Sequence, residues 1–147
     1  MISNLTTDRI PELVPMALAF HEASGFLGDL LPRHWVESWT TLLESGYGFI
    51  LVDDGDDGGP VGGIGGFIVP DTNDGVLIAH EAFWYVDPEG RGSGLQLLDA
   101  FLATAAHLGA GRAQLSHTQT LRPKALGRLY KRMGFQPMDM NYVKELA

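Results

Sequence analysis

The stretch Val86-Asp87-Pro88-Glu89-Gly90-Arg91-Gly92-Ser93-Gly94-Leu95-Gln96 joins two segments of different period. Before it, Val76 to Val86 is a long run of aromatic and β-branched residues, the composition of a strand. After it, Leu95, Leu98, Leu102 and Ala105 recur at helical spacing. Strand, glycine loop and helix in that order point free backbone N–H groups at one place, where the positive end of a helix holds a phosphate. A dinucleotide loop needs G-x-G-x-x-G with an acid about 20 residues on. Here the last glycine is missing and Ala110 to Gln114 contains no acid, so a nicotinamide cofactor is not expected. A Walker loop needs a lysine, and none occurs between Met1 and Leu108.

Outward from this loop, the rest of the chain reads as alternating elements. Towards the N-terminus, Val61 to Val69 and Tyr47 to Val52 are predicted strands, joined by the acidic, glycine-rich tip Asp53–Pro60. Gly62, Gly63, Gly65 and Gly66 fall inside the later strand, and mark either a bulge or close backbone approach or plain strand flexibility. Further back, Pro32 to Gly46 reads as a helix with Trp35 and Trp39 expected in the core. Ile10 to His21 reads as a first helix. Towards the C-terminus, a short strand is predicted at Arg112 to Ser116. A helix follows through Leu126, Leu129, Tyr130 and Met133, and a last strand spans Met138 to Leu146. Early helices, a run of antiparallel strands and two late crossovers predict an α+β fold, with one central, mostly antiparallel mixed sheet flanked by about four helices.

Composition bounds the chemistry. With 147 residues, 45% of them hydrophobic, one domain over 1–147 is expected to bury its own core. The chain has no cysteine, which removes disulfides, cysteine-ligated metal and a thiolate nucleophile, and is compatible with the cytoplasmic location expected here. The start of the chain has neither a basic region nor an apolar run, and no segment approaches the roughly 20 apolar residues of a membrane span. A net charge of -8 repels nucleic acid and anionic lipid and favours a cationic or amine-bearing partner. His21, His34, His80, His107 and His117 show no ligand pairing, and neither His21-Glu22 nor His80-Glu81 completes H-E-x-x-H. No metal is expected.

Arg91 to Gln96 resembles the pyrophosphate loop of the GNAT superfamily of N-acetyltransferases, Q/R-x-x-G-x-G/A after a strand ending in V-x-P. Gln96 stands where the family has glycine or alanine. Leu129-Tyr130-Lys131-Arg132-Met133-Gly134-Phe135 is similar to that family's late L-Y-x-x-x-G-F element. The two motifs and the order of elements cover most of the chain from Tyr47 onward. The resemblance implies acetyl-CoA as the acetyl donor, an amine-bearing acceptor, and direct attack by the amine in a ternary complex. It places backbone groups at Trp84, Tyr85 and Val86 beside the pantetheine arm, and Arg91, Gly92, Ser93, Gly94, Leu95 and Gln96 around the pyrophosphate. It also implies that Tyr130 faces the thioester sulfur, where a phenol can protonate a leaving thiolate.

Glu81 is the candidate base, acting directly or through a water. A carboxylate inside an apolar strand is costly unless it faces a polar site, and desolvation there raises its pKa. His80 is its rival, since adjacent strand residues point to opposite faces and a bulge reverses the choice. His117, at the end of the next strand, is a further candidate on the substrate side. The family often has an asparagine seven residues before the tyrosine; this chain has Pro123. The departures at Gln96 and Pro123 keep open a second reading, a non-catalytic acyl-CoA-binding or protein-interaction module of the same fold. By resemblance, Gly25 to Trp39 and Ser116 to Arg122 would set the acceptor, and they carry no diagnostic motif. Strand edges near the C-terminus leave room for a homodimer.

Overall fold

A computed structural model describes residues 1–88, 92–118 and 121–146, and in them five strands form one sheet in chain order. The strands are β1 (Ile2–Asn4), β2 (Gly48–Asp54), β3 (Pro60–Pro70), β4 (Leu77–Val86) and β5 (Arg112–Gln114). The helices are α1 (Val14–Ser24), α2 (Pro32–Ser45), α3 (Gly94–His107) and α4 (Pro123–Arg132). Strands β1 to β4 pair antiparallel and β5 joins β4 in parallel, so the expected α+β class with a mostly antiparallel mixed sheet is what the chain adopts.

The alternation of β2 divides the core. Phe49 and Leu51 pack with Ile64, Ile68 and Ala79 against Leu97, Leu98 and Phe101 of α3. Ile50 and Val52 point the other way and pack with Phe83 against Ile10, Leu13, Met16 and Trp39. Successive strand residues face opposite sides, so a strand buried on both faces reads as an unbroken apolar run. Trp39 is core as expected, whereas Trp35 is half-buried at the margin of that second cluster.

Across β3 and β4 the register shifts. Gly65 pairs with Phe83 but Gly66 pairs with Glu81, which leaves Ala82 as the extra residue of a β-bulge. Both glycines are required there. A Cβ on Gly65 would lie 2.5 Å from the Phe83 ring, and one on Gly66 would collide with the His80 carbonyl oxygen and sit 2.8 Å from the Phe101 ring. Of the two readings of the glycine-rich strand, bulge and close approach hold together.

Two expectations need correction. The first helix is not continuous from Ile10: Thr7–Leu13 is a 3-10 helix, and α1 begins at Val14. Pro11 and Pro15 lack N–H groups at two positions four apart, so the α-helical ladder cannot run through them. The last strand, Met138 to Leu146, is not formed. Its side chains alternate, but Met138, Met140, Tyr142, Val143 and Leu146 are all exposed. A strand needs a face to bury as well as an edge to pair with; β5 ends the sheet, but this segment is not paired to it and buries neither face. The second late crossover therefore has no closing strand among the described residues. No helix among them is long and apolar enough to cross a membrane.

Candidate active site

β4 meets β5 along only three register positions, Ile78 to His80. Beyond them the two strands are no longer paired, and a cavity of about 80 Å³ lies between Glu81, Ala82 and Trp84 on one side and Ser116, His117 and Tyr130 on the other. The bulge at Ala82 accounts for how β4 addresses this space. It restores Phe83 and Tyr85 to the α1/α2 side and leaves Glu81 and Trp84 lining the cavity. His80 does not line it; its ring stacks on Phe67 with centroids 5.3 Å apart.

Glu81 and Tyr130 are tied to the same residue. The Ser116 hydroxyl donates to Glu81 Oε2 at 3.2 Å, and the Tyr130 hydroxyl donates to the Ser116 carbonyl at 2.9 Å. Burial pushes the Glu81 carboxyl up to about 7, against the hydrogen bonds from Ser116, which pull it down. Burial, and then the nearby Glu81 charge, raise the Tyr130 phenol above its ordinary value, so it keeps its proton throughout the neutral range. The His117 ring lies nearly parallel to Tyr130, with centroids 6.3 Å apart. The cavity thus holds a carboxyl that changes charge near neutrality and a phenol that remains a donor.

Ser116 was not singled out as a site residue from sequence. Its place at the end of a strand and at the start of the Ser116 to Arg122 stretch pointed to the acceptor side, but its role comes from a long-range pairing with Glu81 and Tyr130. Trp84 adds another feature: its indole N–H is buried and has no hydrogen-bond partner among the described residues. An unpaired buried donor is costly, and a ligand oxygen would satisfy it.

The glycine loop is described from Gly92 onward; Glu89, Gly90 and Arg91 lie outside the described residues. Gly92 has φ +114°, a left-handed conformation open to glycine. The first backbone bond of α3 is donated by Leu97 to the Ser93 carbonyl at 2.9 Å. Helix geometry therefore leaves the N–H groups of Gly94, Leu95 and Gln96 without acceptors inside the helix. The Leu95 and Gln96 side chains are exposed, which leaves their backbone N–H groups uncovered by apolar packing at this end. Val86 and Trp84 pack against the α3 side of the sheet, and Tyr85 faces α1. Among the described residues no group of three or more His, Asp or Glu could hold a metal ion.

Residues 15–135 match the family described as Acetyltransferase (GNAT) family. The chain belongs to that family. As a GNAT protein it is an N-acetyltransferase, and the family takes acetyl groups from acetyl-CoA and passes them to amine-bearing acceptors. Among curated protein sequences none matches this chain. Solved structures of the same fold include a ribosomal-protein-alanine N-acetyltransferase from Brucella melitensis biovar Abortus 2308, with 19% identity, TM-score 0.74, and 99% of each chain covered. A predicted acetyltransferase with acetyl-CoA from Clostridium acetobutylicum is 16% identical at TM-score 0.79, covering 99% of this chain and 96% of that one. Glucosamine-6-phosphate N-acetyltransferase from Arabidopsis thaliana is 14% identical at TM-score 0.70, covering 100% and 98%. At such identities the likeness establishes the GNAT fold and leaves the acceptor to be argued from the site.

Proposed function

We propose that this chain, as a single domain over residues 1–147, moves an acetyl group from acetyl-CoA to a primary amine by direct attack in a ternary complex. The observation that carries the reading is the pair Glu81 and Tyr130, which line one cavity and are pinned to one residue, Ser116. Glu81, with its carboxyl near 7, accepts the proton that the amine nitrogen sheds as its bond to the acetyl carbon forms. Tyr130 hands its proton to the sulfur as the carbon–sulfur bond breaks, and the two protons balance through solvent. Bound acetyl-CoA supplies the thioester that makes the acetyl carbon electrophilic.

The described residues fit such a donor. Trp84 lines the cavity, and its buried indole N–H, without a partner among the described residues, is a donor that a small side-chain movement would turn to a carbonyl oxygen. The free N–H groups at Gly94, Leu95 and Gln96 offer a pyrophosphate site at the positive end of α3. Gln96 and Pro123, the two departures from the family pattern, do not line the cavity that holds Glu81 and Tyr130. They therefore leave the catalytic pair intact and weaken the case for a non-catalytic module.

Calorimetric titration with acetyl-CoA, with NADH as control, followed by thiol release across an amine panel, tests the reading. Binding of acetyl-CoA alone, and turnover reduced about 100-fold or more by Tyr130→Phe, are expected. Undiminished turnover in that variant would remove the tyrosine from the mechanism.

A further inference from the structure

A second cavity, of about 210 Å³, lies between α1, α2 and β4 on the other side of the bulge. Its walls are mainly aromatic: Phe20, Phe26, Trp35, Trp39, Phe83 and Tyr85. These rings meet in two groups that face the same space. Phe20 meets Phe26 edge-on at 5.9 Å and Tyr85 at 6.3 Å, while Trp39 meets Phe83 at 5.3 Å and Trp35 lies 6.1 Å from Phe83. Among the described residues the lining contains no aspartate, glutamate, lysine or arginine, and His21 is its one ionisable group besides the Tyr85 phenol.

The two cavities share a boundary. Phe20, Phe26 and Ala82 line both, so the bulge residue, with a side chain of one methyl group, stands between the aromatic cavity and Glu81. A ligand whose body fills the larger space would present a short polar end to the smaller one. Resting on the reading of Glu81 and Tyr130 as the acetyl-transfer pair, we infer that the acceptor is an amine on a short linker attached to an aromatic or bulky apolar group.

Size and charge both favour this class. A dry apolar cavity of about 150 Å³ is enough to take up benzene, so about 210 Å³ admits one ring and a two-carbon arm. A polyamine carries further ammonium groups that need carboxylates along their length, and an aminosugar carries hydroxyls that need hydrogen-bonding partners. The aromatic walls provide neither set, and burying such groups unpaired is costly. An aryl group loses nothing of this kind and gains from leaving water.

The experiment compares kcat/KM for 2-phenylethylamine, tryptamine, spermidine and glucosamine with saturating acetyl-CoA. Binding of 2-phenylethylamine is followed separately through tryptophan fluorescence, which Trp35 and Trp39 report. Aryl amines should exceed the polar amines by on the order of 100-fold. Leu30→Asp, which puts a charge in the wall away from the transfer cavity, should raise KM for 2-phenylethylamine at least about tenfold. Ala17→Phe, which fills the space from α1, should abolish the fluorescence response. Calorimetry should find acetyl-CoA affinity unchanged in both variants. Equal or reversed preference for spermidine or glucosamine, or no binding of 2-phenylethylamine to protein that binds acetyl-CoA, would overturn the inference and leave acetyl transfer standing. Failure to bind acetyl-CoA would instead overturn the reading beneath it.

Discussion

Replacing Glu81 by glutamine should make the protein more stable in alkali, by an amount that the site itself sets. Burial lifts the Glu81 carboxyl from the ordinary 4.5 to about 7 in the folded chain. That is roughly a 300-fold gain in proton affinity, or about 3 kcal/mol. The folded value lies above the unfolded one, so the protonated carboxyl stabilises fully below about pH 4.5. That contribution is lost as pH rises through 7, where the folded protein must hold a desolvated carboxylate. Glutamine is the neutral isostere. It keeps an oxygen for the Ser116 hydroxyl and never ionises. Glu81 is half-buried, and solvent screening reduces the ceiling to about 2 kcal/mol, or about 4–8 °C in Tm for a chain of this size. Urea unfolding of both proteins at pH 5 and pH 8.5 measures the effect. The midpoints should nearly coincide at pH 5 and separate at pH 8.5, with Glu81→Gln the more stable and far less active. A gap of the same size at both pH values, or a less stable variant at pH 8.5, would refute the burial of this carboxyl and its use as a base.

The same site carries a kinetic prediction. In the wild type, kcat/KM should rise with pH to a plateau through about 7, as Glu81 loses its proton. Ser116→Ala removes a hydrogen bond that favours the carboxylate, so the midpoint of that rise should move upward, and a midpoint that stays put would separate Ser116 from Glu81. Gly66→Ala places a methyl against the His80 carbonyl and the Phe101 ring at the bulge. It should cost about 3 kcal/mol in denaturant unfolding, and a loss below about 0.5 kcal/mol would show that the bulge yields without strain.

The fold was legible where one local pattern sufficed. The glycine loop between Val86 and Leu95, the Pro32 to Gly46 helix and the glycine-marked β3 each carry their own chemistry in a few adjacent residues. It was illegible where the outcome depends on what lies opposite. Met138, Met140 and Tyr142 alternate like a strand, yet alternation says nothing about an available edge. Ile10 and Leu13 share the spacing of the helix that follows, while the prolines decide that it starts later. The choice between His80 and Glu81 turns on a single inserted residue, Ala82, whose extra place in the ladder is invisible until β3 is laid beside β4. Ser116 and the aromatic cavity come wholly from tertiary assembly, because Phe20, Trp35 and Phe83 look like ordinary core residues taken one at a time.

The two-sided burial of β2 has a consequence for how this scaffold comes apart. Phe49 and Leu51 belong to the α3 side while Ile50 and Val52 belong to the α1/α2 side, so neither layer can open without uncovering the strand that the other layer needs. Partial unfolding that frees only the acceptor side is disfavoured, and the two layers behave as one cooperative unit. Amide protons at Leu51 and Val52 should accordingly exchange with deuterium only through global opening, at a rate that tracks overall stability as denaturant is added. The space beside Ala82 can then be reshaped by substitution in α1 and α2, while the strand beneath answers to both layers at once.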